Sequence, residues 1–133
     1  MGKNMWRFME TAINMVVRER SRQTTVEGYT PAHDDEHTGG QLALLAAAYA
    51  LQAGPMKEKR NRPLRNAQSS IIEFLEKSWG HEETDYDIFK PKDPIRDLVR
   101  AGALILAELE RRLRAGEGFV SVTTKEDLDR EGA

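Results

Sequence analysis

Thr30-Pro-Ala-His-Asp-Asp-Glu-His-Thr-Gly-Gly-Gln-Leu-Ala-Leu-Leu-Ala-Ala-Ala-Tyr49 sets an acidic, histidine-bearing start against an alanine- and leucine-rich run. Thr30 can cap a helix and Pro31 suits its first position, where a missing N–H costs nothing. The pattern predicts one helix from Pro31 to about Ala53, stopped by Gly54-Pro55. At about 100° per residue, Leu42, Leu45 and Tyr49 define an inward stripe. Asp34, Thr38 and Gln41 fall near its centre, Asp35 and His37 on its flanks, and Glu36 on the solvent side. Carboxylates aimed at a packed interface have to be neutralised, paired or metal-bound.

Working outward, Met5, Phe8, Met9, Ala12, Ile13, Val16 and Val17 predict a first helix over Met5–Gln23 with that stripe inward. Glu19 and Gln23 extend the same face, while Arg18 and Arg22 lie off it. Thr24–Thr30 reads as a connector, with Gly28 as a turn and Tyr29 as an aromatic lid. Met56–Arg65 is a basic loop whose Lys57, Lys59, Arg60, Arg62 and Arg65 are either solvated or reach a ligand phosphate. A short helix is expected over Asn66–Trp79, with Ile71, Ile72, Leu75 and Trp79 on its apolar face, followed by an irregular loop to Lys92. Asp93 as N-cap and Pro94 at the first position open the last long helix. Its expected packing stripe is Leu98, Ala101, Gly102, Ile105, Leu109 and Leu113, with Asp97, Leu104 and Glu108 on one margin. Ala101, Gly102 and Ala103 permit a close helix–helix approach, and Gly116 and Gly118 end the helix.

The expected architecture is all-α: three long helices and a shorter one over residues 1–115, then a charged, flexible tail over residues 116–133. With 20 basic against 22 acidic residues, the net charge of −2 argues against a nucleic-acid coat. No cysteine is present, so thiolate zinc sites and disulfides are excluded. The longest apolar run, Leu42–Leu51, is about half of a membrane span, and the first residues carry no clear signal pattern. A cytoplasmic protein without membrane or nucleic-acid partners is the expectation.

Glu19, Asp34, Asp35 and Asp97 come from three helices and face, or edge, a shared interface. Clustered hard oxygen ligands suit Mg²⁺ or Mn²⁺, which in turn bridge to substrate phosphates. Lys90, Lys92 and Arg96 flank Asp97 and could meet those phosphates. Each acid has a plainer reading: Asp34, Asp35 and Asp97 as first-turn residues favoured by the helix dipole, Glu19 as an arginine partner. His33 and His37 are one turn apart and could bind a transition metal. The His33-Asp34 doublet resembles that of HD phosphohydrolases, but only His81 remains downstream, so that reading is set aside.

Arg18-Glu-Arg-Ser-Arg-Gln23, Glu27-Gly-Tyr-Thr-Pro-Ala-His-Asp-Asp-Glu-His-Thr-Gly-Gly40 and the block from Lys90 to Arg111 together resemble small phage proteins of, or beside, the MazG-like all-α nucleoside-triphosphate pyrophosphohydrolases. The resemblance covers about half of the chain. It implies a helical bundle, assembled as a homodimer or homotetramer in a phage-infected bacterial host. It also implies Mg²⁺- or Mn²⁺-dependent cleavage of a purine (deoxy)nucleoside triphosphate, dGTP or dATP, to the monophosphate and pyrophosphate. On this reading Glu19, Asp34, Asp35 and Asp97 hold the metal, with Glu19, Asp35 and Asp97 catalytic. Lys90, Lys92, Arg96, Gln23 and His37 bind substrate, and Tyr29 or Phe89 stacks on the base. The chain departs from the family in two places: Pro94 leaves the E-x-x-D before Asp97 incomplete, and Gln41 stands where the group usually carries Glu. Those departures keep open an alternative, a non-catalytic phage bundle that binds a nucleotide or a protein.

Overall fold

The computed structural model describes residues 3–54, 61–79 and 88–117, with side chains from residue 5 onward. Five helices form, and no strand among the described residues: α1 (Lys3–Thr25), α2 (Pro31–Asp35), α3 (Gln41–Ala53), α4 (Arg62–Ser78) and α5 (Pro94–Arg114). None of them is long and apolar enough to cross a membrane. The basic residues Lys57, Lys59 and Arg60, together with His81 and the tail from residue 118, lie outside the described residues.

α5 packs most extensively on α3, then on α1, and α4 closes the other side of α3. The core is Leu42, Leu45, Ala46 and Tyr49 of α3, Leu75 of α4, Ala101, Leu104 and Ala107 of α5, with Tyr29 and Trp79 at its edge. Alanines on both α3 and α5 let the two backbones approach closely, so the contact buries much surface with little side-chain entropy to lose. Gln68 ties α4 to α3 by donating to the Ala48 carbonyl at 3.0 Å.

The helix expected over Pro31–Ala53 is two helices. α2 ends after five residues, and α3 starts at Gln41. Gly40 between them has φ +82°, where a side chain would be strained. The Gln41 Oε1 accepts the Gly39 N–H at 2.7 Å and holds the turn. A helical wheel cannot be carried through such a break. Asp34 and Gln41 are buried as the wheel requires, but Thr38 is exposed and His37 is buried.

α5 is rotated relative to expectation. Asp97, Ala101, Leu104 and Glu108, read as a margin, form the buried face, whereas Leu98, Ile105, Leu109 and Leu113 are exposed. α5 carries two apolar faces, and the one with small residues fits the alanine-rich α3. α1 departs in the same sense. Every residue from Met5 to Met15 is exposed, Phe8 at 73% and Trp6 at 62%. First contact with the bundle comes at Val16, against Gly102, where an added Cβ would lie 3.1 Å from Val16 Cγ2. α4 starts four residues before the expected Asn66, with Pro63 in its first turn.

Candidate functional site

Where α1 crosses α5, a cleft of about 420 Å³ opens, lined by Met15, Arg18, Glu19 and Arg22 of α1 and Arg96, Val99 and Arg100 of α5. Its volume is within the roughly 300–1,000 Å³ usual for small-molecule sites. Four arginines and one carboxylate line it, Arg96 with its Nε 3.3 Å from Asp93. The arginines come from two helices because Arg18 and Arg22 are one turn apart on α1, and Arg96 and Arg100 one turn apart on α5. Arg18 and Arg96 stand exposed at the rim.

The inner pair is held in place. Arg22 forks onto Glu19 at 2.7 and 2.8 Å and reaches Glu27 at 3.1 Å. The hydrogen bonds it donates to Glu19, against the cost of burial, keep the guanidinium well above its ordinary pKa and firmly charged. Arg100 donates to the Lys90 carbonyl and lies 5.7 Å from the centre of the Tyr49 ring, a cation–π distance. Burial raises the Tyr49 hydroxyl above its ordinary pKa, and the Lys90 N–H donates to it at 2.8 Å.

Behind Arg22 and Arg100 lies a small hollow, lined also by Gln23, Glu27, Tyr29, Tyr49 and Lys90. Lys90 Nζ is 3.1 Å from Glu27. Gln23 is buried, its Oε1 without a hydrogen-bond partner among the described residues. The hollow measures about 10 Å³, room for no more than a single water beside that acceptor.

Of the residues singled out in the sequence, the fold thus gathers Glu19, Gln23, Tyr29, Lys90 and Arg96 around the cleft and hollow. The four acids do not meet. Glu19 lines the cleft but is forked by Arg22. Asp34 is fully buried and paired with Arg20 at 2.9 Å. Asp35 is exposed and paired with Arg114 at 2.8 Å. Asp97 is buried and accepts the Lys92 N–H at 2.7 Å, closing the turn that starts α5. Among the described residues, no group of three or more His, Asp or Glu is placed to hold a metal ion. Glu19, Asp34, Asp35 and Asp97 thus stand in separate contacts among the described residues.

Lys92 is exposed, and Phe89 packs on Tyr49 with ring centres 4.8 Å apart, away from the cleft lining. His37 sits in an aromatic cluster with Tyr29, His33 and Trp79. Burial, then the neighbouring His33, push its imidazole below the ordinary pKa, favouring the neutral ring.

The residues not anticipated are arginines. Arg20 bonds Asp34, the Tyr29 carbonyl at 3.0 Å, Thr24 at 3.1 Å and Glu110 at 3.4 Å, fastening α1 to α2 and α5. Its position one turn after Val16 on the inward face was the available signal. Arg100 had a similar one, adjoining the buried Ala101. Comparisons with family models, with curated proteins and with solved structures find no match for this chain.

Proposed function

We propose that this chain binds a nucleoside triphosphate in the α1–α5 cleft and releases pyrophosphate from it in the presence of Mg²⁺ or Mn²⁺. The observation that supports the reading is the cleft itself: four arginines line a volume in the range of small-molecule sites. Guanidinium forks are the side chains best matched to phosphate oxygens. Arg18 and Arg96 at the rim would take the phosphate chain, with Arg22 and Arg100 behind them. Purine preference, dGTP or dATP, rests on the resemblance. Mg²⁺ commonly rests on one or two carboxylates plus substrate phosphates, and Glu19, the carboxylate lining the cleft, would have to exchange its Arg22 fork for the ion.

A second reading, binding without hydrolysis, is favoured by the dispersal of Asp34, Asp35 and Asp97 into separate structural contacts. One experiment separates them. Equilibrium binding and pyrophosphate release are measured over a panel of ribo- and deoxynucleoside triphosphates with Mg²⁺, Mn²⁺ or EDTA. Binding with metal-dependent release supports the enzyme; binding with no release supports the second reading. In Arg18→Glu/Arg96→Glu, binding should fall at least tenfold with the thermal melt retained. Unchanged binding there would remove the cleft from the argument.

The homodimer belongs to the same proposal. α1 projects an arm of apolar side chains, and α5 of the same chain leaves Ile95, Leu98, Ile105, Leu109 and Leu113 exposed. A lone helical arm in water is marginal, since most helix stability comes from tertiary packing. Each chain carries both halves of the missing contact. Reciprocal seating of each arm on the other chain's α5 would be a closed two-fold arrangement.

A further inference from the structure

α2 and the turn after it bring two imidazoles together without any role in the cleft. His33 Nε2 and His37 Nε2 lie 3.2 Å apart. An ion bonded to imidazole nitrogens at about 2.0–2.1 Å, tetrahedral or octahedral, holds adjacent nitrogens roughly 2.8–3.4 Å apart. The pair is thus already at the spacing of two ligands on one metal.

The surroundings fix that spacing. The His33 Nδ1 lies 3.1 Å from Asp34 Oδ1. With its proton on Nδ1 directed at the carboxylate, the arrangement in which carboxylates orient metal-binding histidines, His33 offers its Nε2 lone pair to the Nε2–H of His37, and an ion bound between the rings displaces that proton. Asp34 is itself locked by Arg20 at 2.9 Å. Tyr29 stacks on His33 with ring centres 4.9 Å apart and planes 7° from parallel. Trp79 stacks on His37 at 4.3 Å. His33 keeps 16% of its side chain exposed, which leaves a route from solvent.

We propose that His33 and His37 form a two-imidazole site for a borderline divalent transition metal of the Zn²⁺ class, with water or an added ligand completing the coordination. Nitrogen ligands select zinc, nickel or copper over magnesium, so this site is distinct from any Mg²⁺ carried by a nucleotide and does not depend on hydrolysis. Its effect is mechanical. The ion joins a residue inside α2 to one beyond its C-terminus, and both rings pack on Trp79 at the end of α4.

Trp79 makes the test direct. The chain has two tryptophans, and Trp6→Phe leaves Trp79 as the only one. In that untagged full-length variant, Cu²⁺ should quench Trp79 fluorescence saturably at one equivalent, with Zn²⁺ competing and EDTA reversing it. Electron paramagnetic resonance of the Cu²⁺ form should show two equatorial imidazole nitrogens. His33→Gln and His37→Gln should each weaken binding at least tenfold and reduce the pattern to one nitrogen. Absence of saturable quenching, or equal affinity in both variants, would overturn the site. Should either variant fail to fold, the nitrogen count in the parent decides: fewer than two overturns it.

Discussion

Asp34 shows how a side chain can satisfy a sequence argument for a different reason. It is expected on the inward stripe of one long helix, and it is fully buried, though on the separate α2. What meets it there is Arg20, at 2.9 Å. Removing one partner of a buried pair strands the other, so Asp34→Ala should cost about 3 kcal/mol, near the low end of the ~3–5 kcal/mol range for such pairs. Glu110, 3.4 Å from Arg20 Nε, moderates the loss. Urea denaturation checks this, and a loss under 1 kcal/mol would mean that the pair contributes little. Glu27 makes a pH-dependent case. Burial raises its carboxyl pKa, but Lys90 and Arg22 outweigh that and hold it below the ordinary 4.5. A carboxylate with a lowered folded pKa stabilises above its unfolded pKa and loses that contribution as pH falls through the folded one. Glu27→Gln should therefore melt a few degrees below the parent at neutral pH, with the gap closing below pH 4.5. A gap that stays constant down to pH 3 would contradict this.

Element existence was readable, but element orientation was not. Thr30, Pro31, Asp93 and Pro94 mark helix starts by local chemistry, and both caps are made: Thr30 accepts from the His33 N–H and Asp93 from the Arg96 N–H. The Gly39-Gly40 break was equally local, yet the alanine-rich run after it makes a continuous helix look natural. The rotation of α5 is a different matter. Its leucine–isoleucine stripe is the stronger pattern, and the burial of the other face depends on the alanines of α3, far away in sequence. Close approach also governs the α1–α5 crossing. Gly102→Leu should wedge α1 away from α5, costing about 1–3 kcal/mol as overpacking does. It should also open the cleft, so nucleotide binding should weaken with stability. A variant with parental stability would show that the Val16 contact yields without cost.

At the scale of the molecule, α1 extends well past the bundle it belongs to. Residues 5–15 are exposed throughout, a helical arm of roughly 16 Å at 1.5 Å per residue. Together with the open stripe of α5 it leaves on the order of 1,000 Å² of apolar side chain uncovered, comparable to one face of a standard interface at about 800 Å². Sedimentation should find a dimer at micromolar concentration. Phe8→Glu with Leu109→Glu should give a monomer that has lost the helicity of the arm. A parent chain that sediments as a monomer with full helicity would refute the arm exchange. Helical character and the two capped helix starts at Pro31 and Pro94 are written in the local sequence, because capping and periodicity act over a few residues. Packing between elements settles which face of α5 is buried, and that Arg18, Arg22, Arg96 and Arg100 line one cleft while Asp34, Asp35 and Asp97 are held in separate contacts. Those outcomes depend on packing between distant segments, and no local pattern encodes it.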